Sequence, residues 1–372
     1  MAPLRFTGLA GFFVPYPSER IGLPFNLLPG RVVPGQCVAG RVGFVTAPTA
    51  TDPLALDLEA TTNALATGIR DAVRELGRRG AVLGVSGGVD SGVCAALAVR
   101  AFGAKHVLLL RMPEKDIGQG ASDLGLELAE SLGAPQREES ISAALEGLGC
   151  YRRRDEAIRE VFPAYESHWK HKVVRSAPGG VVVFALVIER PDGSREEQRI
   201  PATTYRKLIA ATNMKQRVRK LIEYTWADAL GYAVIGTPNR LEYDQGFFVK
   251  GGDGLADIKP IARLYKTQVY AIARHLGLPA AIAERDPTTE TFSLPQTQEE
   301  FYFGHPYDKM DLLVHGVEEG IAPADLAPLV GMDADGVASA YDEVLRVRKA
   351  TAYLHSSARI IDVDGSNHPA GR

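Results

Sequence analysis

Two stretches of the 372-residue chain hold residues that packing alone does not ask for. Residues 84–92 read G-V-S-G-G-V-D-S-G and follow the apolar run Ala81-Val82-Leu83. A strand that ends in Ser86-Gly87-Gly88 and feeds a helix at Asp90-Ser91 makes a pocket for an anion. The glycines allow a tight turn and bring backbone N–H groups close to a ligand. The helix N-terminus, the positive end of its dipole, points into the same space. Ser86 and Ser91 add hydroxyl donors. The natural guest is a phosphate or pyrophosphate. Asp90 would repel a bare phosphate, and makes sense if a magnesium ion sits between it and the phosphates. The plain alternative is a tight turn with Asp90 as helix cap. The two serines and the apolar strand before them favour the anion site.

The second stretch, 236–268, reads G-T-P-N-R-L-E-Y-D-Q-G-F-F-V-K-G-G-D-G-L-A-D-I-K-P-I-A-R-L-Y-K-T-Q. It supplies a hydroxyl (Thr237), carboxylates (Glu242, Asp253, Asp257) and cations (Lys250, Lys266), with glycines at 246, 251, 252 and 254. An ATP–magnesium–acid site needs such a set: a second metal ligand, cations for phosphate charge, and polar groups to hold an acceptor.

Both stretches must be carried to one place by strands. Ala81–Val85 and Val107–Arg111 read as short buried strands, and Tyr232–Ile235 as a later one that delivers the second stretch to the carboxyl end of a sheet. Leu54–Gly77 has helical spacing, with Leu58, Leu65, Ile69, Val73 and Leu76 on one side. Asp90–Ala101 and Ser122–Leu132 are further helices. The alternation predicts an α/β fold: a doubly wound, Rossmann-like parallel sheet with helices on both faces, and ligands at its carboxyl edge. Residues 145–205 break the rhythm. Gly179–Glu189 is β-prone, Pro191-Asp192-Gly193 is a turn, and Glu196–Ile200 pairs back, so an inserted β-hairpin is expected. Thr203–Leu230 reads as a helix broken near Asn213. Helices then run to about Tyr353. The domain reading is an irregular arm at 1–53, rich in Pro and Gly, a catalytic body at 54–355 carrying the insert, and a loose tail at 356–372.

Composition excludes several classes. Formal net charge is −3, so no basic excess points to nucleic acid or an anionic membrane. No run approaches the roughly 18 apolar residues that span a bilayer, and no signal peptide is read at the N-terminus. Cys37, Cys94 and Cys150 are far apart, with no C-x-x-C pair, which suits a reducing cytoplasm. Cys94 reads as core packing. His168 and His171, three apart beside Trp169, read as a surface helix face rather than a metal pair.

The first stretch is neither a G-x-x-x-x-G-K-S/T loop nor G-x-G-x-x-G. It resembles the S-G-G-x-D-S pyrophosphatase loop of enzymes that cleave ATP between its α and β phosphates. That resemblance leaves GMP, asparagine, argininosuccinate and NAD synthetases and tRNA-modifying thiolases open. The second stretch narrows them. G-T-x-N/H-x-x-E, a lysine before G-D-G-x-A-D, and P-x-x-x-L-x-K-x-Q resemble the NAD synthetase family almost throughout. Asn213-Met-Lys-Gln-Arg217-Val-Arg219, Arg111-Met112-Pro113 and Asp286-Pro287-Thr288-Thr289 are similar to further segments of that family. The similarity covers about residues 54–135 and 203–310.

By that resemblance Gly84, Val85, Ser86, Gly87, Gly88, Val89, Asp90, Ser91, Thr237, Lys266 and Thr288 contact ATP. Asp90 and Glu242 bind magnesium, and Asp90, Glu242 and Lys266 are the catalytic set. Arg217, Lys250 and Asp257 hold deamido-NAD, the acid substrate, with Lys349 of the pair Arg348-Lys349 as the nearest candidate for a last basic contact. The family's chemistry is adenylation of a carboxylate, loss of pyrophosphate, and displacement of AMP by ammonia. The segment before the loop is too short for an amidase domain, so free ammonia, or ammonia from a separate protein, is expected. Short members of the family are homodimers, and the same is expected here. The insert and the arm depart from the family's compact form. They leave open a relative that amidates another carboxylic acid, and more remotely an adenylating sulfur transferase using Cys94 or Cys150.

Overall fold

A computed structural model describes residues 52–116, 119–176, 183–289 and 291–361. The expected arm at 1–53 lies outside them except for its last two residues. Of the tail, residues 356–361 have no helix or strand, and the rest lies outside. Residues 40–358 belong to one compact unit.

Alternating apolar side chains set the central sheet. In β1 (Ala81–Gly84) and β2 (Val107–Arg111), Ala81, Leu83, Val107 and Leu109 face one layer of helices, while Val82, Leu108 and Leu110 face the other. Strands buried on both faces read as continuous apolar runs, as these do. With β3 (Gln136–Glu138) and β7 (Ala233–Val234) they form a parallel sheet, order β3-β2-β1-β7, with Leu83 opposite Leu109 and Val82 opposite Val234. The first layer holds α1 (Leu58–Glu75), α2 (Val89–Phe102), α3 (Gln119–Leu132), α8 (Lys266–His275) and α9 (Ala280–Ala283). The second holds α4 (Ser142–Gly147), the first turn of α5 (Cys150–Arg159) and the later turns of α6 (Ala202–Leu230). Burying each Leu or Val of these layers is worth about 1.5–3 kcal/mol. The doubly wound fold expected from the sequence is present.

The insert differs in detail. The expected hairpin exists as β5 (Val183–Glu189) and β6 (Arg195–Arg199), turned through Gly193 at φ 83°. A further strand, β4 (Lys170–Ser176), pairs antiparallel with β5, so the insert is a three-stranded sheet. Its apolar face packs Val173, Leu186 and Ile188 against Ile158, Leu208, Phe292 and Phe301. His171, read as part of a surface helix face, lies in β4 and is buried at 2% exposure. Nor is α6 broken near Asn213. It runs 29 residues to a left-handed Gly231 cap, because Leu208, Ala211, Lys215 and Val218 are buried through the suspected break. Tertiary packing overrides the weak helix preference of one asparagine.

After α7 (Arg240–Gln245) and α8, a helical layer of α10 (Tyr307–Glu319), α11 (Pro323–Val330) and α12 (Ala334–Thr351) closes on its own core of Leu313, Leu326, Val337 and Val344. It touches the site through Asp311. That buried carboxylate accepts the Lys266 N–H (3.2 Å) and the Thr267 N–H and hydroxyl (2.8 Å each) at the start of α8. The negative charge there complements the helix dipole.

Candidate active site

The loop after β1 turns at Gly87 (φ 77°) and enters α2 at Gly88, which caps the helix with no side-chain bond. Asp90 is therefore not the cap. The loop is held from within: Ser91 Oγ donates to Gly88 O (3.0 Å), and Gly88 N donates to Ser86 Oγ (3.3 Å). Amides at an N-terminus without a side-chain cap are a ready anion site.

Asp90 instead meets the second stretch. Its Oδ2 pairs with the Lys266 ammonium, and its Oδ1 accepts from Asn239 Nδ2 at 3.2 Å. Asn239 is fully buried and caps α7. Its side chain accepts the Glu242 N–H, and Glu242 Oε2 accepts the Asn239 N–H, both at 3.1 Å. This capping box fixes Glu242 beside Asp90. Lys266 opens α8 at 1% exposure. A lysine at a helix N-terminus opposes the dipole, so its position there is set by its carboxylate partner. Burial disfavours the ammonium, but Asp90 and then Glu242 outweigh burial and raise its pKa. Burial, then the Asp90 charge, push the Glu242 carboxyl up to about 8 against the pull of Lys266.

Two carboxylates held side by side form a cation-seeking pair. Among the described residues no cluster of three or more His, Cys, Asp or Glu is placed to hold a metal. Magnesium is bound through one or two carboxylates plus substrate phosphates and water rather than by an all-protein cage. The donor set fits that cation.

The two stretches meet in a cavity of 420 Å³. Gly84, Val85, Ser86, Gly88, Val89, Asp90, Ser91, Thr237, Glu242, Lys266 and Thr288 line it, and Gly87 stands in the same loop. Sequence reasoning missed several neighbours. Asn239 was legible as the capping residue of N-R-L-E. Asp253, a carboxylate of the second stretch that the resemblance gave no role, also lines the cavity, its Oδ1 accepting the Val249 N–H at 2.9 Å and burial raising its pKa. Lys220 and Glu223 form a buried pair at 2.6 Å in the cavity wall.

A family model, NAD synthase, matches residues 61–159 and 188–353. The chain is 50% identical over 314 residues to the NH(3)-dependent NAD(+) synthetase of Rhizobium rhizogenes, covering 83% of this chain and 95% of that one. The chain belongs to the NAD synthase family. Solved structures share the fold at lower identity. A Francisella tularensis NMN synthetase aligns with a TM-score of 0.57 at 22% identity, over 83% of this chain and 100% of that one. A Campylobacter jejuni NH3-dependent NAD synthetase aligns at 0.55 and 20%, over 82% and 100%.

The residues assigned to the acid substrate by resemblance to NAD synthases do not line the cavity. Arg217 Nε donates to Lys250 O at 3.3 Å on an exposed face. Lys250 Nζ donates to Tyr353 O and Ser356 O, both at 2.8 Å. Asp257 accepts the Tyr224 hydroxyl (3.1 Å) and the Val234 N–H (2.7 Å). Lys349 is exposed on α12. Its neighbour Arg348 is held by Asp244 and Glu318. Cys94 and Cys150 are buried, and burial raises both thiol pKa values, which disfavours a reactive sulfur. Cys37 lies outside the described residues.

Proposed function

We propose that the chain is an ATP-dependent amide-forming ligase that adenylates the carboxylate of deamido-NAD, releases pyrophosphate, and lets ammonia displace AMP to give NAD. The observation that carries this reading is the meeting of Asp90, Lys266, Asn239 and Glu242 at the mouth of the loop. It is supported by half-identity, over almost its full length, to an NH(3)-dependent NAD(+) synthetase.

A carboxylate oxygen attacks the α-phosphorus of ATP, and the bond to the β-phosphate oxygen breaks. Amides of residues 86–91 donate to the departing pyrophosphate. Lys266, preorganised by Asp90, places a fixed ammonium against the phosphates and needs no rearrangement during the step. Asp90 and Glu242 would hold magnesium, which when bound supplies positive charge against the leaving group. Ammonia then attacks the acyl carbon, and AMP leaves with the electron pair of the acyl–oxygen bond. The nitrogen loses its proton to solvent, and the amide remains.

The acid-binding roles of Arg217, Lys250, Asp257 and Lys349 remain part of this proposal. So does a homodimer. The first three stand on an exposed face that also shows Leu221 (64% exposed) and Leu255 (45%), in keeping with a site completed by a second copy. Free ammonia or a separate ammonia-supplying protein would serve the last step. No described helix is long and apolar enough to cross a membrane, and a cytoplasmic setting suits the unpaired Cys94 and Cys150.

A second reading, amidation of another carboxylic acid by the same ATP chemistry, is favoured by one observation: Lys250 and Asp257 already have partners within the chain. Incubation with ATP, magnesium, ammonium and deamido-NAD, read by mass, separates the two. NAD with equimolar AMP supports the first reading. AMP formed only with other acids supports the second.

A further inference from the structure

The family model leaves residues 160–187 unmatched, and β4 lies wholly within that gap. None of the described side chains of β4 lines the cavity. Yet β4 is bonded through His171, Lys172 and Val173 to the cavity wall that carries Thr288. That wall comprises residues 286–289 and 291–302, of which Asp286, Pro287, Thr288, Thr289, Thr291 and Gln298 are among those that face the cavity. Its two arms are paired by the Thr288–Thr297 bridge, Thr289 N to Gln296 O (2.9 Å) and Gln298 N to Pro287 O (3.2 Å).

We propose that β4 is a brace for this wall and that His171 is its positioning residue, holding the wall in the ATP-binding arrangement before ATP arrives. The contacts are reciprocal. The His171 N–H donates to Ser293 Oγ at 2.9 Å, and Ser293 Oγ lies 3.1 Å from His171 Nδ1. Leu294 N donates to His171 O at 3.1 Å. The Gln296 amide donates to Val173 O, and Lys172 pairs with Glu300 at 2.7 Å. The His171 ring packs edge-on to Phe292, and Phe292 in turn packs on Phe301 in the cavity wall. Tyr165 Oη, 3.2 Å from Nδ1, donates to Trp169 O at 3.0 Å. Nδ1 thus lies within hydrogen-bond reach of both hydroxyls, the direction of each bond following the tautomer of a neutral ring. Burial lowers the His171 pKa to about 3, in keeping with this.

The brace has a defined kinetic consequence. If only a fraction of molecules holds the wall in place, apparent ATP affinity falls by that fraction, while saturated turnover does not change. Loosening the brace therefore raises KM for ATP and leaves kcat alone. A residue that matters only to global stability would lower Tm with KM for ATP steady at temperatures well below it.

This inference rests on the ATP reading of the cavity. The test measures ATP binding by calorimetry, steady-state kinetics, and hydrogen exchange at 291–300, for wild type and Ser293→Ala, His171→Leu, His171→Asn and Glu300→Ala. Ser293→Ala and His171→Leu are expected to weaken ATP binding and raise its KM about fivefold, the effect of losing roughly one buried hydrogen bond. Their kcat should stay within about twofold, with faster exchange at Leu294 suppressed by ATP. His171→Asn, which keeps a hydrogen-bonding group near the Nδ1 position, should recover most of the loss. Glu300→Ala removes a rim ion pair without threatening the fold, and should shift KM for ATP by about twofold. Unchanged ATP affinity in all four variants, or a fall in kcat with KM steady, overturns the proposal. Wild type that binds no ATP overturns the ATP reading, and this proposal with it.

Discussion

Asp90 does its work because three side chains from one distant stretch converge on it. Converting it to asparagine keeps the size but removes the charge that pairs with Lys266 and that a divalent cation would share. Asp90→Asn should cut kcat by at least about 100-fold in protein that still folds, the scale seen when one preorganised electrostatic group is lost; turnover within a few-fold of wild type would contradict the role assigned to it. His171 gives a second prediction of this size class. Arg154 and Lys215 oppose its protonation after burial does, and Asp116 favours it too weakly to compensate. Its pKa falls from 6.5 to about 3, so the unfolded chain binds the proton first. Stability is full above about pH 6.5 and is lost as pH falls towards 3. Wild type should lose about 2 kcal/mol more than His171→Asn between pH 7 and pH 5, read as a steeper fall in Tm; parallel Tm profiles would contradict this. The loop at 84–91 was legible because glycine, serine and aspartate after an apolar run have one economical explanation. His171 was not. A histidine facing a core reads as polar, so the alternation of K-H-K-V-V in β4 was masked.

Strands β1 and β2 were readable to within a residue, since both faces are buried and the apolar runs are unbroken. Helix α6 was harder, because its continuity depends on what lies against it. A buried ionic network does much of that. Lys215 Nζ sits 2.8 Å from both Glu114 and Asp116, Tyr151 donates to Glu114 at 2.9 Å, and Arg154 pairs with Asp116 and Asp155. Burial would raise the Asp116 pKa, but Lys215 and Arg154 outweigh it and hold it at about 2. The network joins the segment after β2, α5 and α6, and Lys215 also reaches Thr291 O in the cavity wall at 3.1 Å. Removing one member leaves a buried charge unpaired. Arg154→Met should therefore cost about 3–5 kcal/mol of stability, measured by denaturant unfolding. A loss under about 1 kcal/mol would mean that the network is bystander to the packing of α5 on α6. No sequence pattern announced this network, because its charges sit on three elements far apart in the chain.

For the molecule as a whole, the residues proposed for ATP meet in one cavity, and those proposed for the acid stand on an exposed face. Residue types identify a contact, but which copy of the chain completes it is a property of surfaces. Leu221 lies one helical turn from Arg217 on α6 and is 64% exposed. If that face joins two copies, Leu221→Glu should yield monomers by light scattering and raise KM for the acid at least about tenfold, with ATP binding intact; dimers with unchanged kinetics would place the acid elsewhere. The central claim is that the two stretches join a carboxylate to the α-phosphate of ATP, and isotope transfer tests it most directly. The acid substrate is labelled with oxygen-18 in its carboxylate and turned over with ATP, magnesium and ammonium. One labelled oxygen should appear in AMP and none in pyrophosphate. Unlabelled AMP, or ADP with phosphate in place of AMP with pyrophosphate, would contradict the account.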